Sequence, residues 1–112
     1  MVEDGGDSPV ETSARDDGLA VEAGDDGTLH LVGGLDAVTE DVLLDEGRAA
    51  VAAGATTLVL DCAGLRFCDS AGLRALVLLG REVGSPLVLR NASSMLTRLL
   101  EVTGLSPAFV VE

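Results

Sequence analysis

The sequence has no lysine, tryptophan or tyrosine, and only two phenylalanines, two cysteines and one histidine. Each scarcity excludes something. With Phe67 and Phe109 as the sole aromatics, a hydrophobic content of 47 % has to pack as Leu, Val and Ala rather than around rings. All seven bases are arginine, which reads as a coding bias rather than a binding feature. Against nineteen acids they leave a formal net charge of −12. That balance argues against nucleic acid or an anionic membrane as a partner. No apolar run approaches the roughly 20 residues of a membrane span. "MVEDGGDSPV" is acidic where a secretory leader would be basic and then apolar. These features predict a soluble, cytoplasmic protein. Cys62 and Cys68 lie six apart with no histidine near them, which fits neither a C-x-x-C motif nor a zinc-ligand spacing. They read as small buried residues.

The length of 112 residues fits one small domain, of modest stability. The acidity is uneven. Residues 1–27 hold nine acids and one base, a net of −8, and the remainder hold ten acids and six bases, a net of −4. Residues 1–18 have too few apolar side chains to bury. They are expected to form a flexible, solubilising acidic arm, with the ordered domain at 19–112.

Within the domain, "LAVEA" (Leu19 to Ala23) and "TLHLVG" (Thr28 to Gly33) flank the turn signal "GDDG" and predict a hairpin. His30, in the second strand, is given no role. Val38, Val42, Leu43, Ala49 and Ala50 share a helical face. That helix has Thr39 as its cap, Gly47 as a weak point and Gly54 as its stop. "TTLVLDC" (Thr56 to Cys62) is a continuous apolar run and predicts a strand buried on both faces, followed by the loop "AGLRFCD". A helix from Ser70 carries Leu73, Leu76, Val77 and Gly80 on one face and stops at Gly84. "PLVLR" predicts a short strand. A helix capped by Ser93, burying Leu96, Leu99 and Leu100, ends at Gly104, and "PAFVVE" forms a last strand. The order β-β-α-β-α-β-α-β implies an α/β fold with a small, mostly parallel mixed sheet. Its crossovers should be right-handed and its helices mainly on one face.

"LRFCDSAGLRAL" (Leu65 to Leu76) is where chemistry is most legible. Ser70 stands where a helix opens, so its hydroxyl could be a helix cap, a nucleophile or a phosphorylation site. A phosphate there would meet the free amides and the positive end of the helix, with Asp69 beside it as a repulsive neighbour. A nucleophile elbow needs G-x-S-x-G, and "CDSAG" has Cys68 in the first glycine position. His30 would be the sole candidate base. No metal cluster, phosphate-binding glycine loop or paired acid–base set is legible. No catalytic residue, metal or cofactor is therefore assigned.

"LRFCDSAGL" resembles the strand–loop–helix signature L-x-F-x-D-S-x-G-L of STAS domains, particularly of bacterial anti-sigma factor antagonists. Leu65, Phe67, Asp69, Ser70, Gly72 and Leu73 carry the match. "GGLD" (Gly33 to Asp36) is similar to the family's G-E-L-D turn, with Gly34 in place of Glu. "SSMLTRLLEVTGL" (Ser93 to Leu105) resembles the family's later helix. No helix follows the last predicted strand, where the family commonly has one. The resemblance spans Leu19 to the C-terminus and implies a non-enzymatic switch. The unphosphorylated domain would bind an anti-sigma factor that is also a serine kinase of the histidine-kinase-like fold, freeing a sigma factor. Phosphorylation of the matching serine, Ser70, would end that binding, and a PPM-type phosphatase would reset it. Asp36 and Asp69 match the acidic positions flanking the serine and would shape the docking face or orient the hydroxyl. Ala71, Gly72, Arg74 and Met95 complete the expected partner-binding set, and Arg66 is a further candidate. Two rival readings remain open. One is a STAS regulatory subunit of a lipid-transport or transporter complex, and the other is a hydrolase using Ser70.

Overall fold

The structure, a computed structural model, describes residues 18–112. Of the expected acidic arm, all but Gly18 lies outside the described residues. The elements are β1 (Leu19–Ala23), β2 (Leu29–Leu35), α1 (Glu40–Ala52), β3 (Val59–Cys68), α2 (Ser70–Val83), β4 (Leu87–Arg90), α3 (Ser94–Val102) and β5 (Phe109–Val111). Their order is the one the sequence predicts. In the first turn the Gly24 N–H donates to the Thr28 carbonyl at 2.8 Å, and the Asp26 carboxylate accepts from the Thr28 N–H at 3.0 Å. β1 and β2 then pair antiparallel, Leu19 facing Gly33 and Ala23 facing Leu29.

The remaining strand pairs are parallel, and the sheet order β1-β2-β3-β4-β5 follows the chain. This order decides where the helices go. Each parallel pair is joined through one helix, and such crossovers are right-handed almost without exception. Strands added always in the same direction therefore put every crossover helix on the same face. The burial pattern agrees. Leu29 and Leu31 of β2, Leu60 and Cys62 of β3, and Leu87 and Leu89 of β4 enter one core. Leu43, Leu76, Leu79, Leu96 and Leu100 meet them from the three helices. His30, Val32, Asp61, Val88 and Arg90 line the opposite face, which no described helix covers.

Several expectations are corrected. β3 starts at Val59, continues through the segment read as a loop and ends at Cys68. It is buried on one face only, since Val59 and Asp61 are half-buried. β2 is the reason for its length. β2 does not turn at Gly33 but runs to Leu35, so Gly64 faces Val32 and Cys68 faces Leu35, with two register shifts on the way. In α1 the buried positions are Leu43, Leu44 and Gly47. Val38 lies in the turn before the helix, out of phase with it, and is 87 % exposed. Gly47 is more than a weak point. A Cβ there would stand 2.5 Å from Cδ1 of Leu79, so the glycine lets α2 approach α1. α2 buries Gly72, Leu73, Ala75, Leu76 and Leu79, leaving Val77 and Gly80 half-buried. Ser93 caps α3 as expected, its hydroxyl accepting from the Leu96 N–H at 3.1 Å.

His30 also has a partner. Its Nδ1 lies 3.3 Å from Oδ2 of Asp61, on the face opposite the described helices. The other oxygen of Asp61 accepts from the Ala63 N–H at 3.0 Å and from the Asn91 amide at 3.1 Å. The Ala63 and Asn91 hydrogen bonds, more than the nearby histidine, hold the Asp61 carboxyl below its ordinary value.

Candidate functional site

Parallel pairing sets the ends of β2 and β3 side by side, Leu35 facing Cys68. Each strand then leads into the N-terminus of a helix, α1 or α2. In open α/β sheets the carboxyl ends of parallel strands are the usual place for a binding site. Asp36, Asp69, Ser70, Ala71 and Gly72 all belong to this end.

The cap of α2 is Asp69, not Ser70. Asp69 has the extended backbone an N-cap requires, with φ −107° and ψ −170°, and its Oδ1 accepts from the Gly72 N–H at 3.0 Å. Two good cap formers stand next to each other, and the one still in the extended geometry of the strand takes the role. The Asp69 N–H donates to the Leu35 carbonyl at 3.3 Å, which ties the loop to β2. Ser70 is then the first helical residue. It is exposed, and no hydrogen bond engages its hydroxyl among the described residues. Gly72 seats the first turn of α2 on the strand ends. A Cβ there would lie 2.6 Å from the Leu35 carbonyl oxygen and 2.9 Å from Sγ of Cys68.

Asp36 organises the other loop. Its Oδ1 accepts from the N–H groups of Val38 and Thr39, each at 3.0 Å. Such a turn uses a side chain to mimic backbone. Thr39 occupies the N-cap position of α1, but its side chain does not cap the helix. Its hydroxyl instead accepts from the Asp36 N–H at 3.0 Å and donates to the Gly34 carbonyl at 2.8 Å. One carboxylate oxygen of Asp36 and one of Asp69 are thus committed to backbone, and neither acid bonds the Ser70 hydroxyl. The Gly34 N–H donates to the Gly18 carbonyl at 3.2 Å, which ties the residue before β1 to this same end.

Arg74, on α2, has a side chain 71 % exposed, with Nη2 3.9 Å from Oε2 of Glu40 on α1. Both line a shallow groove of about 410 Å³ between the two helices. Met95 is not brought to this cluster. It is exposed on the first turn of α3, and α3 leaves from β4, whose last residue faces Asp61, well before Cys68 on β3. Two residues that sequence reasoning did not assign to the site join it instead. Phe67, a residue of the family signature, faces Gly34 and is 48 % exposed. Val38 projects from the Asp36 turn. An aromatic inside the D-S-x-G signature was the available signal for Phe67. Nothing local signalled Val38.

The site's chemistry is narrow. Burial, and then the charge of Asp69, push the Cys68 thiol up to about 11. Burial chiefly pushes Cys62 up to about 12. Both remain neutral thiols, which are poor nucleophiles. His30 sits in the body of the sheet against Asp61, away from Ser70 beyond the end of β3, so no histidine serves Ser70 as a base. Among the described residues, no group of three or more His, Cys, Asp or Glu could hold a metal ion. No described helix is long and apolar enough to cross a membrane.

Fold and site together define a one-sided, mostly parallel α/β domain that presents a helix-borne serine beside the strand ends. A family model described as Mlab, STAS domain, matches residues 19–112, and the chain belongs to the STAS-domain family. No curated protein matches it in sequence. Among solved structures it is similar to an anti-sigma factor antagonist from Mycobacterium paratuberculosis. That pair shares 30 % identity over 83 % of this chain and 82 % of the other, with a TM-score of 0.62. Its fold is also that of the anti-sigma factor antagonist SpoIIAA. The unphosphorylated form gives 19 % identity over 84 % and 86 % of the two chains, with a TM-score of 0.62. The phosphorylated form from Bacillus gives 23 % identity over 84 % and 90 %, with a TM-score of 0.59.

Proposed function

We propose that this STAS domain is an anti-sigma factor antagonist whose partner binding is switched by phosphorylation of Ser70. Unmodified, it binds an anti-sigma factor that is also a serine kinase of the histidine-kinase-like fold, and a sigma factor is released. Phosphorylation of Ser70 ends that binding, and a PPM-type phosphatase restores it. The domain performs no chemistry of its own. The observation that carries this reading is the exposed, unbonded hydroxyl of Ser70, left over because Asp69 has taken the cap. A kinase can reach such a group without unfolding anything.

A phosphoryl group would add about −1.5 to −2 charges. The N-terminus of α2 tolerates them, so the fold survives modification. A partner pressed against the same face would have to desolvate an incompletely paired dianion, which costs affinity. The docking face in this reading is built from Asp36, Val38, Phe67, Asp69, Ser70, Ala71 and Arg74. The Mycobacterium paratuberculosis relative and the existence of SpoIIAA in a phosphorylated form support the same view.

The test is a pull-down from native cell extract with wild type, Ser70→Ala and Ser70→Asp as baits. A histidine-kinase-like ATPase is expected on the first two baits and absent from the third. Identical retention by all three would sink the switch. Capture of membrane-transport subunits alone would favour the second reading, a STAS regulatory subunit of a lipid-transport or transporter complex. That reading is kept because the matching family model is that of the Mlab STAS domain.

A further inference from the structure

We infer that Arg74 is the residue that receives a phosphate on Ser70, leaving Glu40 to do so. The inference rests on the reading of Ser70 as the phosphorylated residue, and it names how the modified site is held. Ser70 opens α2 and Arg74 follows four residues later. Side chains at that spacing share a face, about 5–6 Å apart at Cβ. A helical side chain also leans towards the helix N-terminus, which for Arg74 is the direction of Ser70.

Arg74 is available. Its side chain is largely exposed, and its ion pair with Glu40, at 3.9 Å, is long. A good charge-assisted hydrogen bond to an oxyanion is about 2.7–2.9 Å. The other charged groups at this end cannot do the same work. Asp36, Asp69, Glu40 and Asp41 are acids and repel a phosphate. Arg81 lies eleven residues beyond Ser70, about 16 Å along the helix. Arg66 is on β3 rather than on α2, so it does not share the helical face that Ser70 and Arg74 occupy. A phosphate dianion outbids the single negative charge of Glu40, and a guanidinium fork suits its oxygens. Modification thus exchanges a pair between α1 and α2 for a pair within α2. The docking face changes twice: it gains a dianion clamped to its own helix, and it loses the partner of Glu40.

The test uses the full chain with phosphoserine installed at position 70 by codon reassignment, so no kinase is needed. The second pKa of the phosphate is read by 31P NMR titration. Arg74→Gln is expected to raise it by about 0.3 unit or more, and Arg74→Lys to restore most of the wild-type value. Equal values in the wild-type and Gln proteins would overturn the inference. In the unmodified chain, Arg74→Gln should leave the urea midpoint nearly unchanged, which separates phosphate pairing from a structural role. The pull-down and this titration fail independently. Loss of the first leaves the pairing intact, and loss of the second leaves the switch intact.

Discussion

Asp69 and Ser70 are neighbours of similar polarity with opposite duties, and the difference is one of backbone geometry. Asp69 still has extended φ and ψ, so its carboxylate reaches the Gly72 N–H. Ser70 is already helical and exposed, and its hydroxyl has no hydrogen bond among the described residues. Asp69→Ala is expected to cost about 1 kcal/mol through the lost cap. For a domain of this size that lowers Tm by roughly 4–8 °C. Ser70→Ala should stay within about 0.5 kcal/mol, as exposed changes do. Thermal unfolding of the two variants checks the assignment. A larger loss at Ser70 would return the cap to the serine.

At the scale of the element, the pairing of β2 with β3 makes the site. Had β3 stopped at Cys62, the D-S-x-G segment would begin far from β2. Continuing to Cys68, it hands α2 to the sheet at Leu35. Gly72 is the contact that permits this. An added methyl would meet a backbone carbonyl and a buried sulfur, neither the free end of a flexible side chain. Gly72→Ala should therefore destabilise by about 1–3 kcal/mol, despite alanine's better helix propensity. Urea titration reads the loss. A neutral or stabilising result would mean that α2 can shift off the strand end, and that the position of Ser70 is not fixed by packing.

At the scale of the molecule, a five-strand sheet whose described helices all lie on one face makes a small core in which two thiols are buried. Their raised pKa values make stability depend on alkaline pH. In the unfolded chain a thiol ionises near its ordinary value of about 9, while the folded chain holds both protons to about 11 and 12. Protons bound more tightly by the folded state stabilise it, so the contribution is complete below pH 9. It is lost as pH climbs from there through 11 and 12. The urea midpoint is expected to fall over that range, and a Cys62→Ala, Cys68→Ala double variant should show a flatter profile. Thiol labelling at neutral pH should likewise be slow until the chain unfolds. Prompt labelling of the native protein would contradict the burial.

The amino-acid pattern alone determined the order of elements, the parallel character of the sheet and the position of the D-S-x-G segment at a helix start. These depend on local periodicity, turn chemistry and a motif read along the chain. Sequence also sufficed for the Ser93 cap and the antiparallel hairpin, because hydrogen bonds two to four residues apart close both. Tertiary structure alone decided the length of β3, the exposure of Phe67 and Val38, the use of Gly47 and the placing of Met95 away from Ser70. Each of these depends on a partner distant in sequence: Leu35 for Cys68, Leu79 for Gly47, Asp61 for the end of β4. The choice between Asp69 and Ser70 as cap belongs with them. It turned on where the strand ended, and the strand ended where β2 stopped offering hydrogen bonds.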